Sequence, residues 1–225
     1  MDLYHSDVIH IPVGNGTKAL SVFNNIPAIL TTHRKAFRPG KLKKGARKSD
    51  YCDSIIWLEE SRICNICYNS PDPNTALNLD VDGESFKCYL LDTGLLISLA
   101  FDVGIISDEE LFHAFLRGRL SINEGMFFEN AVAQQLRASG HKLHFHEFYK
   151  KEDDKHTFEI DFILTKGKYI CPIEVKSSVS NRHVSLDMFC EKYHNQVKDP
   201  VVIHSKDLRI DGGVEYLPAY MTWLL

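Results

Sequence analysis

The chain lacks several features that would place it early, and each absence excludes a class. It has no apolar run long enough to cross a bilayer and no charged-then-apolar amino terminus of the secretory kind, so a cytoplasmic protein with no membrane partner is expected. It has no excess of positive charge. The net charge of −4 excludes a polycation that coats nucleic acid and confines any such contact to a local patch. There is no second Cys-x-x-Cys to match Cys64-Asn-Ile-Cys67, and those two cysteines fall in an apparent strand whose alternation turns them to opposite faces. Reduced core cysteines are therefore a better account than a four-thiolate zinc site with Cys52 and Cys88. There is no internal repeat and no extended low-complexity tract, so an array or a disordered tail is not expected. What is present is 225 residues, 44% hydrophobic and 25% charged, enough for a packed core in one large or two small domains.

Local patterns divide the chain in two. Leu20, Phe23, Ile26 and Ile29 recur at helical intervals between Thr17 and Thr31, with Pro27 as a point of interruption. The basic, glycine-punctuated segment Arg38–Ser49 follows, then a helix capped by Ser49 or Asp50 and running to about Glu60. Arg62–Tyr68 and Phe86–Leu91 are strand candidates around the turn Ser70-Pro-Asp-Pro-Asn74. Helix, basic turn, helix and two-stranded ribbon is the order of a winged helix, so residues 1–100 are expected to form a mostly α domain of that kind, with a connecting helix over 101–120. Residues 121–225 then give a long helix from Asn123 to Ser139, strands at Lys142–His146, Phe158–Leu164 and Tyr169–Ser177, a charged tip at Lys150–Lys155, a helix at Val184–Tyr193 and strands at Val201–His204 and Val214–Leu217. That order predicts an α/β sandwich around a mixed sheet.

Three charges in the second region stand in segments otherwise built for burial: Asp161 in Phe158-Glu-Ile-Asp-Phe-Ile-Leu164, and Glu174 and Lys176 in Ile170-Cys-Pro-Ile-Glu-Val-Lys-Ser177. Alternation puts Glu159, Asp161 and Ile163 on one face, and Pro172, Glu174 and Lys176 on one face of the next strand. A hairpin through Lys166-Gly-Lys168 sets Asp161 beside Glu174. Adjacent carboxylates repel unless a cation lies between them, and oxygen-only ligands suit Mg²⁺ or Mn²⁺. Lys176 is placed to steady a bound water or a phosphate. Glu129 shares a helix face with Val132, Ala133 and Leu136, an apolar stripe that would aim it at the same pair. Phosphodiester hydrolysis needs an activated water and stabilisation of developing negative charge, which a carboxylate-held metal supplies. Taken alone, Glu174-Val-Lys176 is better accounted for by a salt-bridged, solvated strand face, and so is Asp161. The joint pattern favours a shared polar site.

Glu129, Glu-Ile-Asp161-Phe-Ile and Ile-Glu174-Val-Lys176-Ser-Ser resemble the PD-(D/E)xK nuclease superfamily, with its restriction-endonuclease-like fold. Over most of its length the chain also resembles the C-terminal half of a family of prokaryotic P-loop (AAA+) ATPases, which carries a winged-helix region and a nuclease-like domain of unknown function. The motifs are Phe37, Lys44-Gly-Ala-Arg47, Asp50-Tyr51, Trp57-Leu58, Phe86-Lys-Cys-Tyr-Leu-Leu-Asp-Thr-Gly-Leu-Leu96, Gly125-Met-Phe-Phe-Glu-Asn130 and Ile173–Ser178. The resemblance implies Asp161 and Glu174 as metal ligands, Lys176 as the catalytic lysine and Glu129 as the helix acid, with the ATPase domain as a partner. The departure is the missing ATPase: Gly14-Asn-Gly-Thr-Lys18 is too short for Gly-x4-Gly-Lys-Ser/Thr, so this chain reads as a fragment with no ATP site.

Lys41, Lys43, Lys44, Arg47 and Lys48 precede the helix that would recognise DNA in a winged helix, and phosphate contact with DNA or RNA is the functional reading. A solvated loop, or a surface docking on the ATPase, is the alternative. His144 and His146 share a strand face without a third ligand, so hydrogen-bonded or exposed histidines are expected. The expectation is a metal-dependent phosphodiesterase acting on nucleic acid. A catalytically silent nucleic-acid- or protein-binding module, and a docking or homo-oligomerisation domain, stay open beside it.

Overall fold

The apolar spacing that predicts a helix over residues 17–31 produces α2 (Gly16–Leu30) in the computed structural model, which describes residues 2–10, 16–32, 35–77, 82–101, 124–149, 157–177 and 182–225. Ala19, Val22, Phe23, Ile26 and Leu30 recur every three or four residues and all are fully buried. Pro27 lies within the helix without ending it. α1 (Asp2–Ile9) precedes it, and Gly16 must be glycine because a Cβ there would collide with the carbonyl of Ile9. Next come α3 (Pro39–Leu42), a 3-10 turn at Lys48–Asp50 and α4 (Cys52–Glu60). This last helix starts later than expected. The Asp50 carboxylate accepts the Arg47 N–H at 2.8 Å and closes the 3-10 turn instead of capping α4. α5 (Thr93–Phe101) begins after Asp92, whose side chain accepts the Gly94 N–H at 2.6 Å.

Two compact units emerge: Met1–Asn65 with Cys88–Asn130, and Ile66–Lys87 with Ala131–Leu225. Their limits fall inside β1 (Cys64–Asn69) and β2 (Asp82–Leu90), whereas the sequence placed the divide near residues 101–121. The strands expected to close the N-terminal domain as a ribbon join β3 (Leu143–Tyr149) and β4 (Thr157–Ile160) in a sheet of order β2-β1-β3-β4. β1 runs parallel to β3, with Cys67 opposite Leu143 and Asn69 opposite Phe145. The expected helix over 108–120 and the charged tip over 150–155 lie outside the described residues.

A second sheet has the order β5-β6-β7-β9-β8. β5 (Phe162–Lys166) and β6 (Tyr169–Val175) are antiparallel, β6, β7 (Val201–His204) and β9 (Val214–Pro218) run parallel, and β8 (Arg209–Asp211) returns antiparallel to β9. β8 was not anticipated. The Gly212-Gly213 turn that makes it has φ of 57° and 81°, the double positive φ of a two-residue hairpin turn. α6 (Glu124–Ala138) is followed by Gly140 at φ 92°, the left-handed residue that stops it. α7 (Val184–Lys192) sets Leu186 and Phe189 into a core with Phe148, Ile160, Ile163, Val202 and Tyr216. The chain is thus mixed α/β, a helical N-terminal region followed by a strand-rich one with mixed sheets. Among the described residues no helix is long and apolar enough to cross a membrane.

Candidate functional site

The second unit brings Asp161, Glu174 and Lys176 together. In the β5–β6 ladder Phe162 lies opposite Ile173, so one more step of the register sets Asp161 opposite Glu174. The expected strand Phe158–Leu164 is, however, two strands in two sheets, and Asp161 is the break between them. Oδ2 of Asp161 accepts the N–H of Val175 at 2.8 Å, a side-chain bond standing in for a ladder bond. This corrects the expected alternation: Ile160 and Ile163 share one core, where an unbroken strand would send them to opposite faces.

Glu174 is only 6% exposed. Its Oε1 accepts a hydrogen bond from Lys176 Nζ at 2.6 Å, while Oε2 is buried with no hydrogen-bond partner among the described residues. Burial, and then the charge of Asp161, push its carboxyl up to about 7 against the pull of Lys176. An orphaned carboxylate oxygen beside a second carboxylate is costly, and a divalent cation relieves it. The fit to Mg²⁺ or Mn²⁺ rests on that orphaned oxygen and on the all-oxygen donors. Among the described residues no cluster of three or more His, Cys, Asp or Glu ligands occurs. Two carboxylates, with water and substrate phosphate, still suffice for Mg²⁺.

A second ion pair lies close by, and sequence reasoning missed it. Lys87 on β2 is fully buried, its Nζ 2.6 Å from Glu159 Oε1 and 4.8 Å from the centre of the Phe145 ring. Burial raises the Cys67 thiol, Lys87 opposes this, and Glu159 and Asp161 add to it, so these charges share one neighbourhood. The available signal was a lysine inside the apolar strand Phe86-Lys-Cys-Tyr-Leu90.

Glu129 is placed in the first unit, and its partners there account for its burial. Lys35 donates to Oε2 and the Tyr89 hydroxyl to Oε1. The neighbouring Asn130 bonds the backbone N–H and C=O of Leu90, at 2.8 and 3.1 Å, and the Thr93 hydroxyl at 3.1 Å. Two of the motifs that carry the resemblance, Phe86–Leu96 and Gly125–Asn130, therefore bind each other. Lys41 in the last turn of α3 and Lys43, Lys44 and Arg47 after it are exposed, and Lys48 is half-buried.

Four of the cysteines and the strand histidines His144 and His146 are buried, whereas Cys52 is exposed. All six cysteines are free, and burial pushes the Cys64 thiol up and that of Cys88 to about 12. His146 donates through Nδ1 to the Ser70 carbonyl at 2.7 Å and accepts from the Tyr193 hydroxyl at 3.1 Å. Burial lowers it to about 4, which fixes it as a neutral core histidine. His144 is buried too, with neither ring nitrogen hydrogen-bonded.

Comparison with known proteins divides the chain in the same two stretches that its motifs do. No curated protein and no solved structure matches it. Residues 2–108 match the model of a domain of unknown function, DUF8612, and residues 124–221, which hold Asp161, Glu174 and Lys176, match that of another, DUF4143.

Proposed function

We propose that the second unit is a metal-dependent phosphodiesterase acting on nucleic acid. The observation that carries this reading is the buried, unpartnered Oε2 of Glu174, set beside Asp161 and backed by Lys176 on the other oxygen. Asp161 and Glu174 would hold Mg²⁺ or Mn²⁺ through oxygen alone, Asp161 being fixed in place by its bond from Val175. A bound divalent ion supplies Lewis acidity and a water activated near neutral pH. Lys176 is half-buried and leans on Glu174, from where its ammonium can meet the charge that develops on a phosphoryl oxygen. Lys41, Lys43, Lys44, Arg47 and Lys48 give the first unit a basic surface for the phosphates of DNA or RNA. The module works for a P-loop ATPase, in keeping with the sequence resemblance.

The test is cleavage of single-stranded, duplex and branched DNA, and of RNA, with Mn²⁺. Wild-type protein is expected to cut at least one substrate, and Glu174→Ala, Asp161→Asn and Lys176→Ala to lose at least about 100-fold of that rate. No cleavage of any substrate, or cleavage unchanged in Glu174→Ala, would overturn the reading.

A further inference from the structure

Lys18, in the first turn of α2, is part of a cavity. Lys18, Lys43, Lys44, Gly45, Asp50 and Tyr51 line a space of about 320 Å³ in the first unit. That volume lies at the low end of the roughly 300–1,000 Å³ of small-ligand sites. Its lysines come from two separate segments, each anchored. Lys18 follows Gly16, the glycine that lets the start of α2 meet the carbonyl of Ile9. Lys43 closes α3 by donating its backbone N–H to the Pro39 carbonyl at 3.1 Å, and Gly45 turns the chain at φ 79°. The wall at Tyr51 is held by the Phe37 ring, 6.2 Å away and edge-on.

The charges around this space are unbalanced. Asp50 is the one carboxylate lining it, and that carboxylate is engaged by the Arg47 N–H. Lys18, Lys43 and Lys44 enter no ion pair among the described residues. Three lysines lining one concavity bring like charges near each other, and a concave wall concentrates their field on whatever enters. A compact anion with several acceptor oxygens relieves this, each oxygen taking a charge-assisted hydrogen bond. Lys41, Arg47 and Lys48 do not line the cavity and are left to meet a backbone that runs past it.

The geometry points to a phosphomonoester site: Lys18, Lys43 and Lys44 together hold the terminal phosphate of a nucleic-acid strand or of a free nucleotide. This site is independent of the carboxylates of the second unit, so it stands or falls apart from the catalytic reading.

The experiment uses the full chain in EDTA, which removes cleavage from the readout. Fluorescence anisotropy compares one single-stranded 12-mer DNA bearing a 5′-phosphate, a 3′-phosphate or neither, with AMP as competitor. A terminal phosphate is expected to tighten binding about tenfold, the worth of one hydrogen bond to a charged group. The preference disappears in Lys18→Ala and in the double variant Lys43→Ala/Lys44→Ala, and survives in Lys206→Ala, an exposed lysine of the second unit. Displacement by AMP at the concentration of the strand assigns a free nucleotide as the source. Resistance to AMP assigns a strand end. Equal binding of all three strands without AMP binding overturns the site, as does a preference that persists in Lys18→Ala. All three lysines are exposed, so a melting curve suffices to verify that the variants fold.

Discussion

Glu129 and Glu174 are both buried glutamates, at 2% and 6% exposure, and each meets a lysine, yet their surroundings differ in kind. Around Glu129 the polar groups close on themselves: Lys35 takes one oxygen, Tyr89 the other, and Asn130 next to it ties down the backbone of Leu90. Around Glu174 they do not close. One oxygen has Lys176, the other has no hydrogen-bond partner among the described residues, and Asp161 adds a like charge. A saturated buried network holds a fold together, whereas an unsaturated one calls for an explanation, and a shared cation is the one proposed here. Sequence reasoning had grouped the two as one site; the hydrogen bonds of Glu129 run to Lys35 and Tyr89, within its own unit.

The sharpest way to break the comparison is to remove each carboxylate. Glu129→Ala strands the Lys35 ammonium and the Tyr89 hydroxyl, and a buried pair broken on one side loses about 3–5 kcal/mol. Glu174→Ala removes a strained charge and is expected to lose no more than about 1 kcal/mol. Urea denaturation of the two variants decides, and equal losses would erase the distinction.

Next in size is the response to metal. Mn²⁺ at a hundred times its dissociation constant should stabilise wild-type protein by about 2.7 kcal/mol. A thermal-shift titration should show this gain kept in Glu129→Gln and absent from Asp161→Asn and Glu174→Ala.

The dependence on pH comes third. The folded state holds the Glu174 proton up to about 7, above the ordinary value of 4.5. The folded chain therefore binds more protons than the unfolded chain between those limits, and stability falls as pH rises through that window. Glu174→Gln keeps an acceptor for Lys176 and does not ionise. Its stability relative to wild type should rise by on the order of 2 kcal/mol from pH 4.5 to 7 and stay level above. A flat difference across the window would show that Glu174 titrates normally.

The smallest effect is that of Asp161→Asn. The amide oxygen can still accept the Val175 N–H, so stability should change by less than about 1 kcal/mol. With the like charge gone, NMR should find the Glu174 carboxyl below its wild-type value of about 7.

Part of the site was legible because alternation holds within β6 and the hairpin turn sets its register with β5, although alternation fails at Asp161. Period two, with a turn at Lys166-Gly-Lys168, sufficed to set Asp161 against Glu174 and to put Lys176 on the face of Glu174. The helices α2, α6 and α7 followed from apolar spacing and from the left-handed Gly140. The break at Asp161 was hidden because it depends on a single bond to the backbone of the next strand, which leaves no mark on hydropathy. The parallel pairing of β1 with β3 joins residues more than seventy positions apart, such as Cys67 and Leu143, and local pattern says nothing of it. The same holds for the partners of Glu129, since Lys35 lies 94 positions away. β8 has three exposed residues and no apolar alternation, and only its Gly-Gly turn announced it.

The central claim is that Asp161 and Glu174 share a divalent cation. A crystal of the chain soaked in Mn²⁺ above pH 7.5, measured for anomalous scattering, tests it most directly. The account predicts a peak bonded to carboxylate oxygens of both Asp161 and Glu174, with Lys176 within reach of its water shell. No peak there, or manganese bound only elsewhere, would contradict it.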